Sequence, residues 1–132
     1  AVDIFYSANR GDNYTCFLSE KTALPMMYME DAIRATISLM ESPIDNIKIR
    51  SSYNLGGISF TPEEIYAEIK KSRPDFKIEY NPDFRQKIAD SWPSSINDQH
   101  AQNDWGWSGK YDLEKLCKIM LANVLDDGIE VK

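Results

Sequence analysis

Residues 85–93 read Arg85-Gln86-Lys87-Ile88-Ala89-Asp90-Ser91-Trp92-Pro93, and the only histidine, His100, and the other two tryptophans, Trp105 and Trp107, follow shortly after. These side chains suit the capture of a small polar ligand. Arginine offers a planar fork of donors to a carboxylate or phosphate, and tryptophan offers one N–H on a large apolar wall. A second reading stands beside this one on the residues alone: Trp92 covers the core next to Pro93, and Arg85 makes a surface ion pair. Trp105-Gly106-Trp107 reads as a helix cap with aromatic packing around it.

Other patterns carry less. Tyr66 with Lys70 and Tyr111 with Lys115 both have the Tyr-x-x-x-Lys spacing that sets a phenol one helical turn from an ammonium, where the lysine would lower the phenol's pKa. Neither comes with a serine partner, and both read as an amphipathic aromatic beside a solvated lysine. Gly56-Gly57 lacks the G-x-G-x-x-G spacing of a dinucleotide loop and reads as a turn requiring positive φ. His100 has no second histidine and no nearby cysteine, so no metal site is expected. Asp3, Asp31, Asp83, Asp90 and Asp98 form no evident acid and base pair and read as mostly solvated carboxylates. No catalytic residue is expected in this chain.

The elements that must position these groups follow from periodicity and punctuation. Residues 4–8 already show helical spacing at Ile4, Phe5 and Ala8 with no capping residue before them, so the chain reads as starting in mid-helix. A polar loop at 9–13 leads to a short strand at 14–18, and Pro25 permits only an extended start to Met26-Met27-Tyr28. Residues 30–41 read as a helix with Ile33, Ile37 and Met40 at helical intervals and acidic residues in its first turn. Residues 47–55 read as a strand ending in Gly56-Gly57. Thr61-Pro62-Glu63-Glu64 then supplies a cap, a first-turn proline and a capping-box glutamate for a helix to about Lys71. Phe76, Ile78 and Tyr80 alternate with Lys77 and Glu79 as a half-buried strand, and a last helix from Asp112 gathers Leu113, Leu116, Cys117, Met120, Leu121 and Val124 on one stripe.

With 132 residues, 42% of them hydrophobic, the chain can build one core and one domain, 1–132. A net charge of −6 with scattered lysines and arginines repels a polyanion, so nucleic acid is not an expected partner. No apolar run approaches the roughly 20 residues that span a bilayer. A soluble, cytoplasmic protein is expected, with Cys16 and Cys117 as buried, inert thiols.

Taken in order, Met26-Met27-Tyr28-Met29-Glu30-Asp31-Ala32-Ile33-Arg34-Ala35, then Tyr53-Asn54-Leu55-Gly56-Gly57 and Ser59-Phe60-Thr61-Pro62-Glu63-Glu64, then residues 101–107, resemble the C-terminal half of an extended short-chain dehydrogenase/reductase. That group contains the nucleotide-sugar epimerases and dehydratases. Sugar-nucleotide enzymes of the group usually carry an arginine followed by Pro-Gly-Asp where this chain has residues 85–93. The pattern R-Q-x-I-A-D-S-W-P instead resembles the short-chain type of L-threonine 3-dehydrogenase. Gly109, which stands where relatives often have proline, is a small departure that bears on loop stiffness.

The resemblance implies an α/β fold, α+β within this chain, lacking most of the Rossmann sheet. The NAD-binding domain and its Ser, Tyr and Lys set would lie upstream, and this portion alone would be inactive and would not bind NAD. The whole enzyme would oxidise L-threonine to 2-amino-3-ketobutyrate with NAD, as a homodimer. Trp92 would close over threonine, with Ser91 and Arg85 beside it as substrate-binding residues, and Ala1-Val2-Asp3 would continue a helix that leads from the substrate site. Faces normally packed on the missing domain, including the helix at Ala1 and the strand near Met27, would be exposed. Two alternatives stay open: the same portion of a nucleotide-sugar 4-epimerase or dehydratase, with Arg85 as a diphosphate clamp, and a non-catalytic interaction module.

Overall fold

The computed structural model describes residues 2–124, so Ala1 lies outside the described residues. The elements run α1 (Asp3–Arg10), β1 (Tyr14–Cys16), β2 (Leu24–Met26), α2 (Met29–Glu41), β3 (Ile58–Phe60), α3 (Pro62–Ser72), β4 (Ile78–Tyr80), α4 (Arg85–Asp90), α5 (Gln99–Trp105) and α6 (Leu113–Asn123). Helices dominate this mixed α/β arrangement. β1 pairs in parallel with β4, setting Tyr14 opposite Ile78 and Cys16 opposite Tyr80, and β2 pairs antiparallel with β3, setting Leu24 opposite Phe60. Among the described residues no helix is long and apolar enough to cross a membrane.

Two apolar clusters organise these elements. The larger is closed by Ile4, Phe5 and Ala8 of α1, Ile65 and Ile69 of α3, Leu116 and Cys117 of α6, and Phe60 and Phe76 beside the strands. α3 forms because Thr61 and Glu64 satisfy each other's backbone N–H groups and Pro62 presets the first turn, as its sequence indicates. α6 is capped by Asp112, whose side chain accepts from the Lys115 N–H at 2.8 Å. Ile4, Phe5 and Ala8 of α1 are spent inside this core, while Val2 and Tyr6 at the same end of the chain remain exposed, and Met27 is half-buried rather than bare. Cys16 and Cys117 are buried free thiols, and burial pushes the Cys117 thiol up to about 12.

The smaller cluster joins Ala35 of α2, Ala101 of α5 and Trp107, with Tyr53 and Leu55 packed on it. Gly106 ends α5 at φ 76°, which turns the chain so that Trp107 buries its ring and donates from Nε1 to the Gly56 carbonyl at 3.1 Å. Beside it sits Asp31, 1% exposed. Its carboxylate takes hydrogen bonds from Arg34 (2.7 Å), the Lys110 N–H (2.9 Å) and the Tyr111 N–H (3.3 Å), while the Arg34 guanidinium lies 4.7 Å from the centre of the Trp107 ring. Burial would raise the Asp31 pKa, but these three donors outweigh it and hold the carboxyl below its ordinary value. This latch ties the first turn of α2 to the segment after α5.

Three expectations need correction. Residues 47–55 form no strand: a 3₁₀ turn at Ile44–Asn46 leads into irregular chain, and the Tyr53 hydroxyl accepts the N–H groups of Lys48 and Ile49 at 2.9 and 3.1 Å, folding the run back on itself. The strand falls after the glycines instead, at β3. Gly56 and Gly57 do not adopt positive φ, which among the described residues belongs to Gly11 and Gly106. They are needed for close approach: a Cβ on Gly57 would stand 2.4 Å from the Met26 carbonyl oxygen, and one on Gly56 would stand 2.8 Å from Asp98 Oδ2. Gly57→Ala is therefore expected to lower stability by about 1–3 kcal/mol through overpacking, measured by thermal unfolding, whereas Gly11→Ala meets no neighbouring atom and is opposed only by its φ of 77°. Finally, two of the aspartates depart from the solvated reading: Asp31 is buried, and the half-buried Asp98 accepts from the Gly56 N–H (3.1 Å) and Gln102 (2.6 Å), while Asp3, Asp83 and Asp90 are exposed, Asp83 in an ion pair with Arg85.

Candidate functional site

The expected substrate-binding residues lie together on α4 and the turn that ends it. Asp83 stands just before α4, its carboxylate accepting the Arg85 N–H at 2.9 Å. The Arg85 fork then closes on the same carboxylate, with Nε 3.0 and 3.1 Å from its two oxygens and a terminal nitrogen at 2.7 Å. The Arg85 guanidinium beside Asp83 holds that carboxyl below the usual range, and Asp83 in turn raises the arginine. The guanidinium stacks on Phe17, 3.4 Å from the ring centre. Arg85 is thus the ion-paired residue of the second reading, with its planar face occupied by an aromatic.

Ser91 spends its hydroxyl on the end of the helix, donating to the Ile88 carbonyl at 2.7 Å. Trp92 behaves differently from a core residue. It is 58% exposed, standing on the surface with Phe84, Ile88 and Ile96 as exposed apolar neighbours in sequence. The expectation that Trp92 covers the core next to Pro93 therefore does not describe this chain.

The residue that sequence reasoning missed is Gln86. Its Oε1 accepts the Ser19 N–H at 2.8 Å, and its Nε2 donates to Thr22 Oγ1 at 2.9 Å and to Asp90 Oδ1 at 2.6 Å. One amide thereby welds α4 to the loop between β1 and β2. That loop carries Phe17, Leu18 and Thr22, part of the wall of a cavity of about 140 Å³ lined mostly by apolar side chains of the main core. The Gln86 to Asp90 spacing, one helical turn, was the only local signal; its partners in the loop are remote in sequence. Gln86→Leu is expected to cost about 1–3 kcal/mol, read by urea unfolding, because it leaves the Ser19 N–H without its acceptor.

The remaining candidates are structural. The Tyr66 hydroxyl donates to the Phe76 carbonyl at 3.3 Å, and Lys70 Nζ lies 5.6 Å from its ring centre. Tyr111 donates to the Glu30 carboxylate, and this bond above all pushes its phenol up to about 12, away from proton transfer near neutral pH. Lys115 sits over its ring at 4.3 Å without reversing that shift. His100 is exposed on α5, and among the described residues no group of three His, Cys, Asp or Glu could hold a metal ion. A dinucleotide does not fit these residues either. Gly56 and Gly57 are closed in by Asp98 and Met26, so their backbone cannot receive a pyrophosphate.

The fold defines the class. It superposes on a GalE-like L-threonine dehydrogenase from Cupriavidus necator, in apo and holo forms, with TM-scores of 0.89 and 0.90 at 55% identity, covering 93% of this chain and 44% and 40% of those chains. The chain is thus homologous to part of the epimerase/dehydratase-like proteins. Within that class its homologues include the bovine (Bos taurus) protein named mitochondrial L-threonine 3-dehydrogenase, 44% identical over 122 residues, and an uncharacterised epimerase/dehydratase of Staphylococcus haemolyticus, 45% identical over 125 residues. These alignments cover 92% and 94% of this chain but 32% and 39% of the relatives, so the chain spans less than two fifths of their length. No family model matches the chain.

Proposed function

We propose that residues 1–132 form the C-terminal, substrate-binding portion of an NAD-dependent L-threonine 3-dehydrogenase, which converts L-threonine to 2-amino-3-ketobutyrate. The observation that carries this reading is the Arg85-Gln86-Lys87-Ile88-Ala89-Asp90-Ser91-Trp92-Pro93 motif, set in a fold that matches a threonine dehydrogenase at 55% identity. Trp92 is the residue proposed to cover bound threonine, since an exposed indole has an apolar face free to close over a small ligand. Ser91 and Arg85 support it through the helix end and the Asp83 and Phe17 contacts, and Gln86 sets the helix against its loop. NAD, the proton acceptor and the dinucleotide loop belong to an upstream domain. The portion alone is inactive for want of them, because one wall of a pocket supplies neither hydride acceptor nor base. Buried free thiols accord with a reducing, cytoplasmic compartment, and the homodimer rests on the family resemblance alone.

The existence of epimerase/dehydratase relatives at 45% identity keeps a nucleotide-sugar substrate in view, with Arg85 as a diphosphate clamp. The occupied fork of Arg85 weighs against it: a diphosphate would have to displace Asp83 from three hydrogen bonds to that fork. The free-standing module reading has no observation in its favour. The test is NAD reduction by the full-length protein with L-threonine and with UDP-galactose. Turnover of threonine is the expected result, and turnover of the sugar nucleotide alone overturns the assignment.

A further inference from the structure

Residues 93–97, which carry the chain from Trp92 towards α5, make no backbone–backbone hydrogen bond to any described residue. Trp92 is fixed from one side, its N–H donating to the Ala89 carbonyl at 3.0 Å as α4 ends. On the other side the segment is held by the chain that enters β3. The Ser59 hydroxyl donates to the Ser94 carbonyl, and the Gly56 N–H donates to the Asp98 carboxylate at 3.1 Å. Between these two ties a Cβ on Gly56 would stand 3.2 Å from the Ile96 carbonyl oxygen, so the segment lies directly along this stretch. The tie nearest Trp92 is therefore made by one side chain, Ser59.

The strand accounts for the direction of that side chain. Ile58 and Phe60 pack in the main core, so the alternation of β3 turns Ser59 to the opposite face, where it is exposed. Its hydroxyl adds nothing to the core. Pro93 is the only residue between Ser94 and Trp92, and its ring locks φ at about −65°. One of the rotations that could absorb a shift of Ser94 before it reached the indole is thus removed.

We propose that Ser59 is a positioning residue for Trp92: by holding the Ser94 carbonyl it sets, through Pro93, where the indole stands over a bound ligand. The inference rests on the proposed role of Trp92 in covering threonine. Without this tie, residues 93–97 span freely from the end of α4 to Asp98. The indole would then have to be ordered at each binding event, which weakens the capture of a small ligand.

The test uses the full-length protein. Ser59→Ala should raise the KM for threonine about three- to tenfold, the usual worth of one hydrogen bond, with the KM for NAD and the Tm nearly unchanged. Ser59→Thr keeps the hydroxyl, suits a strand and should restore the wild-type KM. In a Trp92→Ala background, Ser59→Ala should have no further effect, because Ser59 acts through the indole. An unchanged KM for threonine in Ser59→Ala overturns the proposal. An equal rise in the Trp92→Ala background, or a joint loss of Tm and of both KM values, does the same. A second measurement does not depend on the substrate. With fluorotryptophan incorporated, the fluorine resonance that Trp92→Phe removes should shift in Ser59→Ala and return in Ser59→Thr. If it shifts in a protein that turns over only UDP-galactose, the tie stands and the threonine assignment fails. If it stays in place in an active threonine dehydrogenase, the tie alone fails.

Discussion

Asp31→Ala should lower the folding stability by about 3–5 kcal/mol, the usual cost of removing one partner from a buried ion pair. The substitution strands the Arg34 guanidinium against Trp107 and leaves the N–H groups of Lys110 and Tyr111 without their acceptor. Denaturant unfolding of the wild type, Asp31→Ala, Arg34→Ala and the double variant measures it. The double variant should be less damaged than the sum of the singles, because no unpaired charge then remains. The pH dependence follows from the direction of the shift. A carboxyl whose folded pKa is depressed contributes in full above its unfolded value, about 3.9, and loses that contribution as pH falls through the lower folded value. Wild-type stability should therefore drop below about pH 4 more steeply than that of Asp31→Asn. Equal acid sensitivity in both would show that the latch adds nothing.

Trp92→Ala in the full-length enzyme should raise the KM for threonine about 10- to 100-fold, equivalent to about 1.5–3 kcal/mol of lost contact, with the KM for NAD nearly unchanged. The argument is that Trp92 contributes little to the interior: at 58% exposure its removal opens no cavity, which fits the proposed role of covering bound ligand. Trp92→Phe should recover part of the effect by keeping an apolar face. Parallel rises in both KM values, or a large loss of thermal stability, would instead assign Trp92 to packing.

Much of the fold was legible because its signals are local. The capping box of α3, the Asp112 cap of α6 and the glycine that ends α5 before Trp107 are each complete within a few residues, and each forms as its sequence indicates. Long-range relations were not legible. Nothing in the spacing of Ile33, Ile37 and Met40 says which way a helix will turn its stripe, and α2 turns it outward because Asp31 and Ala35 are anchored on the other side. Residues 47–55 carry a strand pattern, but a pattern forms a strand only beside a partner. In the candidate site, the exposure of Trp92 was not legible beside a proline, and neither was the role of Gln86, since Ser19 and Thr22 lie far behind it in the chain.

The buried thiols have a chemical consequence. With Cys117 pushed up to about 12 and closed off by the core, on the order of one molecule in 100,000 would carry the reactive thiolate near neutral pH, even if a reagent could reach it. Cys16, which pairs with Tyr80 in the β1–β4 ladder, is also buried. Thiol-directed reagents therefore find no exposed cysteine among the described residues. A cysteine placed at the outward-facing Met40 would be the first thiol of this region to react, and its labelling rate would report directly whether that face is open or covered.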